Sequence, residues 1–190
     1  MSKGSAKQGQ LRIIGGEWRS RKVSFIDAEG LRPTPDRVRE TLFNWLAPYI
    51  EGAAVLDLFA GSGALSLEAL SRGAVSATIL DINHQVISNL KSQLQILNCQ
   101  RATLINQSAL LFLQKQATKQ FDVVFLDPPF RKDMLQQACQ LLADNGWLAN
   151  KAWVYTESEI MPSQLLMPTN WQLYREKKAG QVYYSLWLSQ

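Results

Sequence analysis

The sequence predicts an α/β domain with a doubly wound, mostly parallel seven-stranded sheet of the Rossmann-like type and helices on both faces. From Ala53 onward, short apolar segments typical of strands alternate with segments typical of helices. Residues 123–126 are all apolar, which favours a strand covered by helices on both faces. The last two strand-like segments have no helix-like segment between them, so we expect them to form an antiparallel pair.

The predicted elements begin with a small N-terminal extension. Residues 11–25 alternate loosely around Gly15-Gly16, which is compatible with a hairpin or an irregular strand pair. Pro33 and Pro35 favour an extended segment, followed by a helix that begins near Pro35 or Asp36 with Thr34 as its N-cap. The apolar face of that helix is predicted to consist of Val38, Leu42, Trp45, Leu46 and Tyr49. In the main domain we predict strands at 53–59, 76–81, 102–106, 121–127, 152–157, 171–176 and 182–188, and helices at 62–72, 83–97, 108–116 and 134–143.

Composition is that of one folded domain with a modest extension. The 190 residues are 46% hydrophobic and 19% charged, which is enough for a sizeable core. We divide the chain into a disordered tail at 1–10, a basic extension at 11–52 made of a hairpin and a helix, and the main domain at 53–190. The two cysteines, Cys99 and Cys139, form neither a disulfide framework nor a metal cluster.

Several partners and locations are not expected. The start of the chain lacks the apolar core of a secretory signal, and no apolar run approaches the length of a membrane span. We therefore expect a cytoplasmic protein with no membrane partner. The spacing of the acids and of the single histidine, His84, indicates no metal site, and nothing in the sequence suggests an obligate dimer, so we expect a monomer.

Positive charge is concentrated near the start of the chain. The net charge is +4, and residues 1–25 contain six basic residues against one acid, Glu17. A basic segment of this kind suits the phosphates of a nucleic acid, although it is also compatible with an ordinary solvated surface. Trp18 is a weak candidate for a contact with RNA. The basic residues are Lys3, Lys7, Arg12, Arg19, Arg21 and Lys22.

A small-residue loop is the candidate cofactor site. Residues 55–63, VLDLFAGSG, end a strand and open a helix, and their glycines allow a close approach of the backbone to a ligand. A dinucleotide fingerprint would need a third glycine where this chain has Ser66, which argues against NAD. The carboxylate of Asp57 suits a cation better than a pyrophosphate, so the loop favours S-adenosylmethionine, which carries an ammonium and a sulfonium.

Two further strand ends complete the predicted cofactor site. Asp81 ends the next strand, where an acid can accept hydrogen bonds from ribose hydroxyls, and Ser108 follows the third strand, where adenine could be contacted. Asp57 and Asp81 could each instead be a structural cap. The predicted cofactor-binding residues are Asp57, Phe59, Ala60, Gly61, Ser62, Gly63, Asp81, Ile82, Ser108 and Ala109.

The candidate catalytic motif is Asp127-Pro128-Pro129-Phe130, directly after the fourth predicted strand. The prolines fix their own backbone and leave carbonyl acceptors beside the Asp127 carboxylate. Such acceptors suit an exocyclic amine, whose lone pair becomes nucleophilic when its protons are held, and Asp127 could take the proton late as a general base. Phe130 offers a face on which a base stacks. The alternative is a proline turn with a capping aspartate.

These motifs together resemble the bacterial 16S ribosomal RNA guanine-N2 methyltransferases of the RsmD type. DLFAGSGALSLEALSRGA (57–74) and DPPF (127–130) are similar to the family's cofactor and catalytic motifs. LRPTPDRVRETLFNWL (31–46) is similar to its N-terminal signature, and LRIIGGEWRSRKV (11–23) to the segment before it. DNGWL (144–148) and EKKAGQVYYSLW (176–187) extend the resemblance almost to the end of the chain.

The resemblance implies a class I methyltransferase fold and methylation of one guanine N2 in 16S rRNA of the small ribosomal subunit or its assembly intermediate. It implies S-adenosylmethionine as cofactor, S-adenosylhomocysteine as product, and no metal. Many relatives place an acid after the third strand, where this chain has Ser108. The implied catalytic residues are Asp127, Pro128, Pro129 and Phe130. We predict that the substrate RNA is contacted by the basic arm, through Arg12, Arg19, Arg21 and Lys22. The resemblance implies that the signature residues Arg32, Thr34 and Arg37 cover the active site, and we predict that they contact the RNA as well.

Two other functions remain open from the sequence. Adenine-N6 methyltransferases acting on DNA use the same rigid acceptors, but this chain has no obvious domain for recognition of a DNA sequence. A non-catalytic RNA-binding assembly factor with a vestigial site is the third possibility. The intact Asp127 and the intact glycines of the loop argue against it.

Overall fold

The protein is described by a computed structural model that covers residues 8–26, 34–129 and 134–190. The predictions for Arg32 and Phe130 lie outside these residues. The helices of the described segments are all too short or too polar to cross a membrane.

The described residues form two sheets. A two-stranded antiparallel hairpin precedes a seven-stranded sheet of order β5-β4-β3-β6-β7-β9-β8, in which β9 pairs antiparallel with both of its neighbours. The elements are β1 (Gln8–Arg12), β2 (Lys22–Ile26), α1 (Asp36–Leu46), β3 (Ala54–Asp57), α2 (Ala64–Ser71), β4 (Ser76–Asp81), α3 (His84–Ile96), β5 (Ala102–Asn106), α4 (Ala109–Leu113), β6 (Phe121–Leu126), α5 (Met134–Asp144), β7 (Leu148–Ser158), β8 (Trp171–Ala179) and β9 (Val182–Ser189). The predicted fold, the hairpin and the antiparallel closing strands are confirmed.

Alternate residues of the central strands face two separate cores. In β6, Val123 and Phe125 pack with α1, α2, α3 and the hairpin, whereas Val124 and Leu126 pack with α4 and α5. All four side chains are fully buried. The fully apolar run in the sequence therefore does mark a strand covered on both faces.

Some predicted boundaries differ from the structure. The first strand begins at Gln8, so the predicted disordered tail at 1–10 is wrong for its last three residues, which pair with β2. Helix α2 begins at Ala64 because Gly63 adopts a left-handed conformation with φ of 75°. Thr34 is not the N-cap of α1. Pro35 occupies that position, and no side chain caps the helix there.

The N-terminal extension is attached to the main domain through the buried carboxylate of Glu68 in α2. The backbone N–H groups of Ile14 and Gly15 donate to its two oxygens at 2.9 and 2.8 Å. The Arg72 Nε donates to it at 2.7 Å, and an Arg39 nitrogen lies 3.5 Å from it. Glu68 itself is fully buried. One carboxylate thus joins the hairpin, α1 and α2.

The turn of the hairpin also lies directly on the end of α2. Gly16 has φ of 77°, and a Cβ there would lie 1.8 Å from the carbonyl oxygen of Ser71. The Trp18 N–H donates to the Ser71 hydroxyl at 2.9 Å. Trp18 is only 3% exposed and lies beneath the guanidinium of Arg101. The suggestion that it contacts RNA is therefore wrong.

We predict that Glu68→Gln lowers the free energy of unfolding by about 3 kcal/mol, because it removes the buried charge that pairs with Arg72 and leaves Arg39 with Asp36 as its one remaining carboxylate partner among the described residues. Urea denaturation measures this change. The matched control is Glu40→Gln, on the exposed side of α1, which we expect to change stability by less than about 0.5 kcal/mol. Equal stability of the two variants would contradict the role assigned to Glu68.

Candidate active site

Four acids meet at the carboxyl edge of the central sheet. Asp57 ends β3, Asp81 ends β4, Asp127 follows β6, and Glu157 is the last residue but one of β7. These strands are parallel neighbours, with Asp57 opposite Phe125 and Leu126 opposite Thr156. The sheet therefore brings together acids that are far apart in the sequence.

Asp57 organises the loop from within. Its residue is only 3% exposed, and its carboxylate accepts hydrogen bonds from the Ser66 hydroxyl and from the backbone N–H groups of Phe59 and Ser66. Burial raises the pKa of Asp57 to about 7; the Ser66 hydroxyl opposes this shift, and the charge of Asp81 adds to it. The serine that replaces the third glycine of a dinucleotide fingerprint thus supports Asp57.

Asp81 holds the glycine loop from the neighbouring strand. One of its carboxylate oxygens accepts the Gly61 N–H at 2.9 Å, and the other accepts the Asn83 N–H at 2.8 Å. The Asn106 amide donates to the carbonyls of Asp81 and Ile82, both at 2.9 Å. Asn106 was missed by the sequence analysis, although its position at the end of β5 was a usable signal.

The glycines of the loop are required by its shape. Gly61 and Gly63 have φ of 51° and 75°, a region that other residues rarely adopt. A Cβ on Gly63 would lie 2.3 Å from a methyl carbon of Leu90 in α3. Ala60 and Ser62 are buried, and Phe59 is partly buried. Of the predicted loop residues, most therefore contribute backbone rather than side-chain surface.

The remaining predicted cofactor residues, Ile82, Ser108 and Ala109, follow the carboxyl ends of β4 and β5. Ile82 is 75% exposed although it is apolar, so it offers an apolar contact surface next to Asp81. Ser108 precedes α4 without capping it, which leaves its hydroxyl free of that role. Ala109 is only 4% exposed, so its methyl group offers almost no contact area.

The donor set fits a cationic nucleoside cofactor. Two ionisable acids, Asp57 and Asp81, lie beside the loop, where they would repel a pyrophosphate and attract a cation. The exposed Ile82 can pack against a planar base. Among the described residues, no three His, Cys, Asp or Glu side chains are grouped to hold a metal ion.

Asp127 lies at the carboxyl end of β6, between the ends of β3 and β7. The residue is partly exposed, followed by the buried Pro128 and the exposed Pro129. Burial of the carboxyl raises the pKa of Asp127 well above its usual range, and the nearby charges of Glu157 and Asp57 raise it further. The carboxyl thus holds a proton more readily than an exposed aspartate does.

Glu157 is the fourth acid at this edge of the sheet. Its side chain accepts hydrogen bonds from the Tyr155 hydroxyl at 2.7 Å and from the Thr34 hydroxyl. Burial raises the pKa of Glu157, while those two hydroxyls oppose the shift. Thr34 is itself buried, so it contacts Glu157 from the N-terminal extension rather than presenting a free surface.

The other predicted RNA contacts are exposed on the extension. Arg12, Arg19, Arg21 and Lys22 lie in the hairpin, and Arg37 lies in the first turn of α1. One of them, Arg21, also donates a hydrogen bond from its guanidinium to the Ile96 carbonyl at 3.4 Å. The positive charge is therefore available on the hairpin that Glu68 attaches.

The raised pKa of Asp57 predicts a pH-dependent stability. Its ordinary pKa is 3.8 and its folded value is about 7, so the folded state binds the proton more strongly and loses stability as pH rises from about 4 to 7. Asp57→Asn removes this loss. From pH 5 to pH 8, we expect the variant to gain stability relative to the unchanged protein by on the order of 2 kcal/mol.

Urea denaturation at both pH values tests this prediction. Asp144→Asn, at the exposed end of α5, is the control. The assigned pKa would be contradicted if the difference in the free energy of unfolding between Asp57→Asn and the unchanged protein were the same at pH 5 and at pH 8.

Comparison with known proteins supports one family. The model of the family described as Conserved hypothetical protein 95 matches residues 11–188. A protein named ribosomal RNA small subunit methyltransferase D from Escherichia coli strain K12 is 52% identical over 179 residues, covering 94% of this chain and 90% of the relative. The protein of the same name from Haemophilus influenzae is 51% identical over 183 residues, covering 95% of this chain and 94% of the relative.

A solved structure agrees with the sequence comparisons. The yhhF protein of Escherichia coli superposes with a TM-score of 0.87 at 51% identity, covering 96% of this chain and 99% of that one. The chain accordingly belongs to the family described as Conserved hypothetical protein 95, the same family as the small-subunit methyltransferase D proteins that it matches along almost its whole length.

Proposed function

We propose that the protein transfers a methyl group from S-adenosylmethionine to the exocyclic N2 amine of one guanine in 16S rRNA of the small ribosomal subunit. The observation that carries the proposal is the placement of Asp127 and its two prolines beside the Asp57–Gly63 loop, at one edge of one sheet. Family membership with proteins named ribosomal RNA small subunit methyltransferase D supports the choice of RNA.

The cofactor is proposed to bind at the carboxyl ends of β3, β4 and β5. The loop backbone and Asp57 would hold its amino acid end, Asp81 its ribose, and Ile82 with Ser108 its adenine. When bound, S-adenosylmethionine supplies a methyl group on a positively charged sulfur and leaves as S-adenosylhomocysteine. No metal takes part in the proposal.

Asp127 and the Pro128 carbonyl are proposed to activate the guanine amine. Each accepts one N–H of the amine, which withdraws the nitrogen lone pair from the ring and directs it toward the cofactor side of the pocket. N2 forms its new bond with this lone pair and then loses a proton to Asp127, which acts as the general base in its ionised form. Rigid positioning by the prolines supplies much of the rate. Phe130 is proposed to stack on the base.

The basic hairpin is proposed to bind phosphates of the RNA. Arg12, Arg19, Arg21, Lys22 and Arg37 are exposed on the same extension that reaches the active site through Thr34. Arg32 is proposed to act with them. Phosphate contacts of this kind set the orientation of the RNA rather than its sequence.

The test is methyl transfer from labelled S-adenosylmethionine to unmodified small subunits, naked 16S rRNA and DNA in parallel. Digestion to nucleosides identifies the product. We expect N2-methylguanosine from the ribosomal RNA. Label that appears only in DNA, as N6-methyladenine, would replace the proposal with the second candidate function, and no label in any substrate would favour a binding protein.

We predict that Asp127→Ala lowers the turnover number roughly 100- to 10,000-fold, because it removes the acceptor of the amine proton. Its affinity for S-adenosylhomocysteine, measured by calorimetry, should stay within about threefold, less than 1 kcal/mol. Asp144→Ala, on the exposed end of α5, serves as the control with unchanged turnover. Full turnover in Asp127→Ala would remove Asp127 from the mechanism.

We predict that the pair Arg19→Glu and Lys22→Glu weakens RNA binding and makes its dependence on salt less steep. Each lost phosphate contact reduces the slope of log affinity against log salt by about 1. The matched control reverses Lys115 and Lys151, which are equally exposed but lie away from the hairpin. Equal slopes for the two double variants would show that the hairpin does not contact phosphate.

A further inference from the structure

We propose that Glu157 recognises the N1–H group of the target guanine and so makes the enzyme select guanine over purines that lack this donor. The proposal rests on the proposed function and extends it from the attacked amine to the neighbouring atom of the base. It assigns a specificity-determining role to a residue outside the loop and the catalytic motif.

The strand register places Glu157 beside Asp127. Strands β6 and β7 are parallel, with Phe125 opposite Tyr155 and Leu126 opposite Thr156. Asp127 directly follows β6, and continuing this register by one residue brings it next to Glu157, since neighbouring strands lie about 4.8 Å apart. The charge of Glu157 acts on the Asp127 carboxyl, which agrees with this placement. Phe125 and Tyr155 belong to one core. The side chains of Asp127 and Glu157, two residues farther along the chain, therefore point to that same face of the sheet. The two carboxyl groups therefore lie side by side.

The hydrogen bonds of Glu157 favour its ionised, accepting form and oppose the effect of burial, which raises its pKa. The Tyr155 hydroxyl donates to its Oε1 at 2.7 Å, and the Thr34 hydroxyl also donates to the carboxylate. Both donors are neutral, and both stabilise the ionised form. An ionised carboxylate has about four lone-pair positions, so two donors leave room for a third. Its residue is only 9% exposed, so bulk water supplies little of that third bond.

The Watson–Crick edge of guanine matches this pair of carboxylates. Guanine presents N1–H and N2–H as adjacent donors, and two neighbouring acceptors can take one each. Asp127 accepts from the attacked N2 amine, and Glu157 accepts from N1. In a purine without a hydrogen on N1, the N1 lone pair would face the Glu157 carboxylate. Two buried acceptors would then meet with no hydrogen bond between them, which is unfavourable. A site built around one hydrogen bond rejects an analogue that lacks it.

The test compares guanine with 2-aminopurine at the modified nucleotide, which the nucleoside analysis identifies first. 2-Aminopurine keeps the N2 amine but has a lone pair at N1. Both bases are introduced by ligation into 16S rRNA, which is then assembled into small subunits. We expect the unchanged enzyme to prefer guanine at least about tenfold in single-turnover rate, the effect of losing one hydrogen bond to a charged group.

The informative variant is Glu157→Gln, whose amide can donate to the bare N1. We expect the ratio of the guanine rate to the 2-aminopurine rate to fall about 10- to 100-fold relative to the unchanged enzyme. 2-Aminopurine also lacks the guanine O6, but this difference affects both enzymes and cancels in the comparison of ratios. Glu159→Gln, an exposed acid two residues farther along, is the control and should keep the original ratio.

The outcomes separate a recognition role from a structural one. An equal loss of rate on both bases in Glu157→Gln would mean that Glu157 only anchors Thr34, and it would overturn the proposal. Equal rates of the unchanged enzyme on both bases would overturn it without any variant. A product other than N2-methylguanosine would instead refute the proposed function, so the two failures are distinguishable.

Discussion

Parallel pairing of β3, β6 and β7 is the constraint on which the active site depends. Because the strands run in one direction and β6 keeps one register with β7 from Val123 to Leu126, their carboxyl ends bring Asp57, Asp127 and Glu157 together on one face. Burial raises the pKa of all three carboxyl groups, and the charges of Glu157 and Asp57 raise the pKa of Asp127 further. A shift of one residue in the register would turn these side chains to the opposite face.

The N-terminal extension belongs to this site both structurally and chemically. Glu68 fixes the hairpin on α2 by accepting two backbone N–H groups, and Arg39 connects the same carboxylate to α1. Thr34, two residues before the start of α1, can then contact Glu157. The exposed cations and the acidic pocket are thus two parts of one rigid surface rather than separate modules.

The sequence predicted local patterns well and long-range partners poorly. The bounds of β4 and β5 agree with the predicted ranges, since each apolar run ends at a polar residue. Thr34 was predicted as a cap because capping is local, whereas its partner Glu157 lies far along the chain. Glu68 escaped notice because an acid in a helix is usually solvated. Its position among residues 64–71, which are otherwise all apolar or small, was the signal that could have identified it.

The contact of Gly16 with Ser71 has a consequence for how a substrate would be chosen. A backbone pressed onto the end of a helix holds the turn of the hairpin on α2. The distance from the hairpin cations to the pocket is then set by the protein alone. A substrate of the proposed kind must supply a phosphate backbone and an accessible base at that same separation, so selection would act on the folded shape of the RNA as well as on the identity of one base.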